Sequence, residues 1–216
     1  MRVPKIKCFL AALFFAGMGL NPALAQNDGS EFDSVGEELI YAIENDERVR
    51  LETMLAMNAD VNEVVPGKGT ALIAASRKGD HRLITLLTAF GAQPDLAVAG
   101  VGTPLSVAAG AGHLDAIEAL IGEGANPNAG ASTAGTPLIN AARTGQLKAL
   151  EKLIEWGADP SLAVLVELQS GPQLWSPLGE AKKYKHGEII EYLEAVGAIE
   201  RTSSSPSSPS PLSSPN

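Results

Sequence analysis

Cysteine is all but missing from this chain, whose one example, Cys8, sits near the N-terminus. That excludes a disulfide framework and a thiolate metal site. Positive charge is also short, with 16 Lys and Arg against 25 Asp and Glu and a formal net charge of −9. General binding to nucleic acid or to anionic lipid needs dense positive charge to displace counterions, so both fall away as functions. Nor is there a long hydrophobic run. The apolar stretch Cys8 to Leu20 spans 13 residues, where a bilayer core requires roughly 20.

What the N-terminus does have is a charged lead of Arg2, Lys5 and Lys7, then that apolar stretch, then Asn21-Pro22 and the small-residue triplet Ala23-Leu24-Ala25. This is the order of a secretory signal peptide over residues 1–25, cleaved before Gln26. Cys8 precedes the apolar region instead of ending it, which removes it as a lipid-attachment site. Cleavage would leave 13 basic against 25 acidic residues and no cysteine. The mature chain is then expected to rely on packing alone, with the periplasm as its address and full secretion as the alternative. Residues 26–36 read as a polar lead-in. Residues 200–216, mostly Ser and Pro, have too little apolar surface to offset ordering entropy and are expected to be disordered.

Between these ends the chain repeats. EELIYAIEND, TALIAASRKG, TPLSVAAGAG, TPLINAARTG and SPLGEAKKYK begin at Glu37, Thr70, Thr103, Thr136 and Ser176, at spacings of 33, 33, 33 and 40 residues. A period of this length implies a linear array of small units that bury their apolar faces only against one another. The third position is always Leu (Leu39, Leu72, Leu105, Leu138, Leu178) and the sixth always Ala (Ala42, Ala75, Ala108, Ala141, Ala181). Three apart on a helix, they share a face. A second apolar pair follows at positions fifteen and eighteen: Leu51 and Met54, Ile84 and Leu87, Ile117 and Leu120, Leu150 and Leu153, Ile190 and Leu193. Each unit therefore reads as two short helices. Thr70, Thr103, Thr136 and Ser176 are placed to cap the first, and Pro104, Pro137 and Pro177 to open it. Gly91, Gly124, Gly157 and Gly197 close the second, and Asn58, the usual substitute in a left-handed cap, closes it in the first unit.

Thr103-Pro104-Leu105, Ala108-Ala109, Gly112-His113-Leu114 and Gly124-Ala125-Asn126-Pro127-Asn128 resemble the ankyrin repeat at nearly every structural position, and the likeness runs from Glu37 to Ile199. It implies an all-α solenoid of five helix-pair units with hairpin-like connecting loops over residues 37–199. The family's usual His after Thr-Pro-Leu is replaced by Ser106, Ile139 or Gly179, so the hydrogen bonds it would make should be remade or missing. Lys185 stands where the interhelical glycine belongs, and a distorted turn is expected there. Seven extra residues before the fifth unit make an unusually apolar insertion from Leu162 to Trp175. Either it folds back over the last junction or it projects as a partner-binding finger.

No constellation for catalysis emerges. His113 and His186 occupy one repeat position and His81 the next, so the array would hold them apart, as structural residues and not metal ligands. Gly67-Lys68-Gly69-Thr70 and Gly100-Val101-Gly102-Thr103 recur at the repeat period as turn glycines and lack phosphate-loop spacing. No cofactor is expected, and the chain reads as a non-enzyme. In the family the recognition face is the concave one, built from loop tips and first-helix ends. The resemblance carries this over to Lys68, Arg77, Lys78, Val101, Arg143, Thr144, Lys183 and Tyr184, a basic strip suited to a protein partner with an acidic patch. Phe90, Trp156 and Trp175 are the aromatic candidates, as anchors or as shields over the loops beneath. Charged residues enrich the first unit (Glu37, Glu38, Arg48, Arg50) and the last (Lys182, Lys185, Glu188, Glu191), the polar outer faces expected of a monomer free of membrane after cleavage, and the chain resembles small exported bacterial ankyrin-repeat proteins. It would act as an immunity factor against a toxin or as a scaffold for an envelope enzyme, with a secreted effector engaging host proteins as the alternative.

Overall fold

Ten helices arranged as five consecutive pairs carry the repeat in the computed structural model, which describes residues 32–130, 134–168 and 171–199. The expected signal peptide, residues 26–31 of the lead-in and the tail from 200 lie outside the described residues. The pairs are α1 (Val35–Glu44) with α2 (Arg48–Ala56), α3 (Ala71–Lys78) with α4 (His81–Ala89), and α5 (Pro104–Ala111) with α6 (Leu114–Gly122). They continue with α7 (Pro137–Thr144) and α8 (Leu147–Glu155), then α9 (Pro177–Tyr184) and α10 (Gly187–Ala195).

The first helices start where the hydroxyl residues dictate. Thr70, Thr103, Thr136 and Ser176 accept hydrogen bonds from the amides of Ile73, Ser106, Ile139 and Gly179, and all four are buried. In the first unit Ser34 does this for the Glu37 amide, so α1 begins at Val35, two residues ahead of the repeat start read from sequence. Pro104, Pro137 and Pro177 occupy the first helical position, where a missing N–H has no partner to lose. The bonds of the absent family histidine are remade once. The Ser106 Oγ accepts from the Thr103 amide at 2.9 Å while Thr103 Oγ1 accepts from the Ser106 amide, closing a capping box.

Between the helices of each pair the chain turns through a left-handed residue. Gly79, Gly112 and Gly145 have φ of 78°, 74° and 81°, and the expected distortion at Lys185 does not occur. Lys185 takes φ 62°, ψ 38° itself and its amide bonds the carbonyls of Ala181 and Lys182, and Asp46 does the like at φ 59°. The neighbouring bonds hold the turn closed and impose the conformation on a residue that disfavours it by about 1–2 kcal/mol. Asn58 adopts the left-handed conformation expected of it, at φ 61°.

The core is one continuous seam in which the repeated Leu and Ala side chains interlock. Each fully buried Leu contributes roughly 1.5–3 kcal/mol relative to exposure, and because first helices pack on first helices along the array as well as on their own partners, that burial is completed only between units. The second apolar pair shifts at both ends. In α2 the buried residues are Leu51 and Leu55 with Met54 half-buried, and in α10 they are Ile189 and Leu193 with Ile190 half-buried. An end unit has a neighbour on one side only, so its helix turns a different edge inward. At the N-terminal end Arg50 lies over the rings of Phe32 and Tyr41, 5.0 and 5.5 Å from their centroids, and pairs with Glu38 and Glu47, giving that outer face a polar cover.

A ladder of loop hydrogen bonds also follows the period. Asn62, Asp95, Asn128 and Ser161, each 33 residues after the last, accept from the backbone amides of Gln93, Asn126, Asp159 and Ile199 in the next loop. Asn62 and Asn128 also donate to the carbonyls of Gly91 and Gly157. These bonds fix the loops relative to one another and hence the hairpins that rise from them.

Candidate functional site

The hairpins differ in size. In the second and third units they close with single bridges, Val65 to Gly69 and Val98 to Gly102. Before the fifth unit the seven-residue insertion becomes a five-residue antiparallel ladder of β1 (Val164–Leu168) and β2 (Gly171–Trp175), pairing Val164 with Trp175 and Leu165 with Leu174. Alternation along the strands gives the ladder two faces. Val166 is wholly buried, and Val164 and Trp175 on that side are half-buried. The other side presents Leu165, 55% exposed, with exposed Pro172 and half-buried Leu174. One insertion therefore both covers the last junction and projects an apolar surface.

Trp175 is held from beneath by an ion pair. The Arg143 guanidinium stacks 4.2 Å from its ring centroid while Arg143 Nε donates to Glu180 Oε2 at 2.9 Å. Glu180 is only 5% exposed and occupies the repeat position of Ala74 and Val107. Lys183 approaches the same carboxylate at 3.6 Å and lies 5.3 Å from the Tyr184 ring. Arg143, Trp175, Lys183 and Tyr184 are thus brought together at one end of the array, next to the hairpin.

Lys68, Arg77 and Lys78 assemble at the other end, and each has an acidic partner in the first unit. Lys68 Nζ donates to Glu37 Oε1 at 2.7 Å, Arg77 lies 3.8 Å from Glu44, and Lys78 bonds Asp46 and the Ile43 carbonyl. The Lys68 hydrogen bond, helped by the Asp33 amide, holds the Glu37 carboxyl below its ordinary value of 4.5. Arg77 Nη2 also donates to the Lys68 carbonyl, tying first-helix end to hairpin tip. Between the two ends lie Val101, half-buried, and Gly110 and Ala111, which add no charge. Thr144 is exposed and spends its hydroxyl on the Asn140 carbonyl. The residues read as a basic strip therefore line the face as two ion-paired clusters separated by a smooth apolar saddle. At Glu180 two cations share one carboxylate, so that among the described residues of this face positive charge locally exceeds negative there.

Phe90 and Trp156 end the second helices and are about half exposed. They stand apart from the cluster at Trp175. The histidines act between units. His113 Nε2 pairs with the Arg77 carbonyl at 3.0 Å and His186 Nε2 with the Arg143 carbonyl at 3.1 Å, so each binds the end of the preceding first helix. Their rings fill the space over Gly79 and Gly145, where a Cβ would come within 2.7 and 2.8 Å. Sequence reasoning identified these histidines as structural but missed the bond they make, and it missed Glu180. The clue to Glu180 was a charged residue at the repeat position that Tyr41, Ala74, Val107 and Asn140 fill without charge. Among the described residues no three His, Cys, Asp or Glu side chains gather as a metal site, and no helix is long and apolar enough to cross a membrane.

The model of ankyrin repeats in three copies matches residues 39–131 and, overlapping, 72–164. The chain belongs to the ankyrin-repeat family. The match spans the first four units and the opening of the insertion, and the fifth pair, α9 and α10, continues the same caps, turn and core beyond it. No curated protein matches the chain significantly. Ankyrin repeats are generic protein–protein interaction modules, and the paired clusters, saddle and hairpin described above are the surface on which this one differs from a plain stack.

Proposed function

We propose that this ankyrin-repeat protein is an exported, non-enzymatic module that binds one partner protein on the face formed by its hairpins and first-helix ends, with the main contact at the fourth and fifth units. The supporting observation is the enlarged hairpin, whose outward side carries Leu165, Leu174 and Pro172 above a base braced by Trp175, Arg143 and Glu180. An apolar surface held on a rigid support loses little freedom on binding, which favours affinity. The partner offers an apolar segment to the hairpin and an acidic group to Lys183, whose carboxylate Glu180 is already shared with Arg143. Lys68, Arg77 and Lys78, being matched by acids of the same chain, orient the partner more than they attract it.

Export rests on the sequence of residues 1–25, and the role is occlusion or scaffolding of that one partner, either a toxin that the module neutralises or an envelope enzyme that it supports. The mature chain acts as a monomer. The test is capture from the periplasmic fraction by tagged mature protein and by three variants. Leu165→Asp and Lys183→Glu each abolish or sharply weaken retention of one specific partner, while Glu151→Lys on an outer helix leaves it intact. Equal retention by all three variants would refute the placement of the site, and absence of the mature chain from the periplasm would refute the address.

A further inference from the structure

The units are not all joined alike. At the second and fourth junctions a histidine of the following unit lies over the turn of the preceding one, His113 over Gly79 and His186 over Gly145, each paired with the carbonyl at the end of the first helix. Gln146 covers Gly112 at the third. At the first junction the equivalent residue, 33 before His113, is Asp80. An ionised carboxylate has no N–H to offer a carbonyl, and Asp80 Oδ1 accepts instead from the amides of Arg82 and Leu83 at the start of α4. The next position differs too. Leu114 and Leu147 open α6 and α8 and are half-buried against the core, whereas His81, which opens α4, is exposed.

The first junction thus lacks both fillers, and a groove opens there. Helices α4, α6, α8 and α10 pack each on the next, but α2 does not close on α4. The space between them holds about 550 Å³. Buried Ile43 and Leu51 form its floor, and half-buried Leu83 and Leu86 form its wall. Apolar surface left open at one junction and closed at the others marks an interaction site. Four charged side chains edge it: Asp46, Arg48, Asp80 and Arg82. Three of them have partners within the chain. Asp46 holds the Lys78 ammonium, Arg48 Nε donates to Glu52 Oε1 at 2.7 Å, and Asp80 caps α4. Arg82 is exposed, and among the described residues no acid pairs with its guanidinium.

We propose that this groove is a second docking site, which takes a short segment of a partner protein carrying one large apolar side chain and, beside it, a carboxylate. The apolar side chain seats on Leu51, Leu83 and Leu86 and supplies the bulk that later junctions draw from their own chain. The carboxylate pairs with Arg82. Charge fixes the direction in which the segment lies, because Asp46 and Asp80 repel an acid at the other edges and Arg48 is already paired with Glu52. The groove lies between the first and second units, away from the hairpin before the fifth, and does not depend on the reading given for that face.

The test is solution NMR on the mature full-length chain with three blocked peptides: acetyl-Phe-Glu-amide, acetyl-Phe-Gln-amide and acetyl-Ala-Glu-amide. The first is expected to shift the Leu51, Leu83 and Leu86 methyl signals saturably, the second to bind about threefold more weakly, and the third to leave those signals in place. Arg82→Ser, on an exposed side chain, abolishes the difference between the first two, while Leu165→Asp at the hairpin changes none of the three responses. Methyl signals indifferent to acetyl-Phe-Glu-amide, equal binding of the acidic and neutral Phe peptides by the parent, or a preference for the acidic one that survives Arg82→Ser would overturn the proposal. So would loss of the response in Leu165→Asp, which would assign it to the hairpin. Methyl shifts that arise on raising the protein concentration without peptide would overturn it as well, by placing a second copy in the groove.

Discussion

Replacing Arg143 with Ala removes the one cation that both pairs with buried Glu180 and stacks on Trp175, and its cost can be worked from the geometry. Breaking a buried ion pair by deleting one member costs about 3–5 kcal/mol. Arg143 keeps 24% of its side chain exposed and Lys183 remains 3.6 Å from the carboxylate, which brings the loss to about 2 kcal/mol. The stacking on Trp175 at 4.2 Å adds roughly 1 kcal/mol. In a repeat array this loss is felt at one junction, so the fifth unit detaches before the rest. Native-state hydrogen exchange reads it directly. About 3 kcal/mol corresponds to exchange roughly 100-fold faster in α9 and α10, with α1 to α6 unchanged.

The double variant Arg143→Ala with Glu180→Val sharpens the reasoning. Val107 already fills that repeat position in the third unit. Arg143 Nη2 and Trp175 Nε1 are buried and have no acceptor among the described residues, so the native cluster is itself incompletely compensated. The double variant therefore regains most of the lost protection. An acceleration below about threefold in Arg143→Ala, equivalent to less than 1 kcal/mol, would refute the assignment of Arg143 as the brace of the hairpin. So would a double variant no more protected than the single. Arg77→Ala, at the same repeat position but 3.8 Å from Glu44 with both side chains about half exposed, serves as control and changes exchange by no more than about twofold.

Other substitutions test the turns and the charges. Gly157→Ala meets open space at φ 89° and costs about 1–2 kcal/mol for conformation alone, whereas Gly145→Ala also drives a Cβ to 2.8 Å from the His186 ring and costs about 1 kcal/mol more; urea midpoints distinguish them. Lys185→Gly relieves a left-handed lysine at φ 62° and should raise stability by about 1 kcal/mol, read as a higher midpoint for the C-terminal part of the transition. Lys68→Ala should move the Glu37 titration up towards 4.5 by carboxyl NMR. Because the folded-state value is depressed, the stabilisation from Glu37 is present above the unfolded value and lost as pH falls through the folded one. The variant should therefore lose less stability than the parent on acidification below 4.5.

The parts of this fold that could be read in the sequence are those set by short-range chemistry. Hydroxyl residues before prolines marked the helix starts, and Asn58 marked the end of a helix because few side chains tolerate its φ. The misplaced expectation at Lys185 shows the limit of that approach. A residue's preference costs a kilocalorie or two, and the surrounding turn outweighs it. Longer-range features were less visible. The cations at Lys68, Arg77, Lys78, Arg143 and Lys183 were recognisable as surface residues of loop tips and first-helix ends, yet apart from Glu180, three residues before Lys183 on the same helix, their acidic partners lie 31 to 37 residues away and are matched only once units stack. Likewise the insertion was recognisable as apolar, but its two faces depend on strand register, which its residues specify only against the fifth unit.

The most direct measurement is hydrogen exchange on the mature protein with and without its captured partner. Binding at the hairpin and first-helix ends predicts slowed exchange over Val164–Trp175 and at the end of α9 around Lys183 and Tyr184, with the outer surfaces of α6 and α8 unchanged. Protection confined to those outer helices, with the hairpin exchanging as in the free protein, would contradict it.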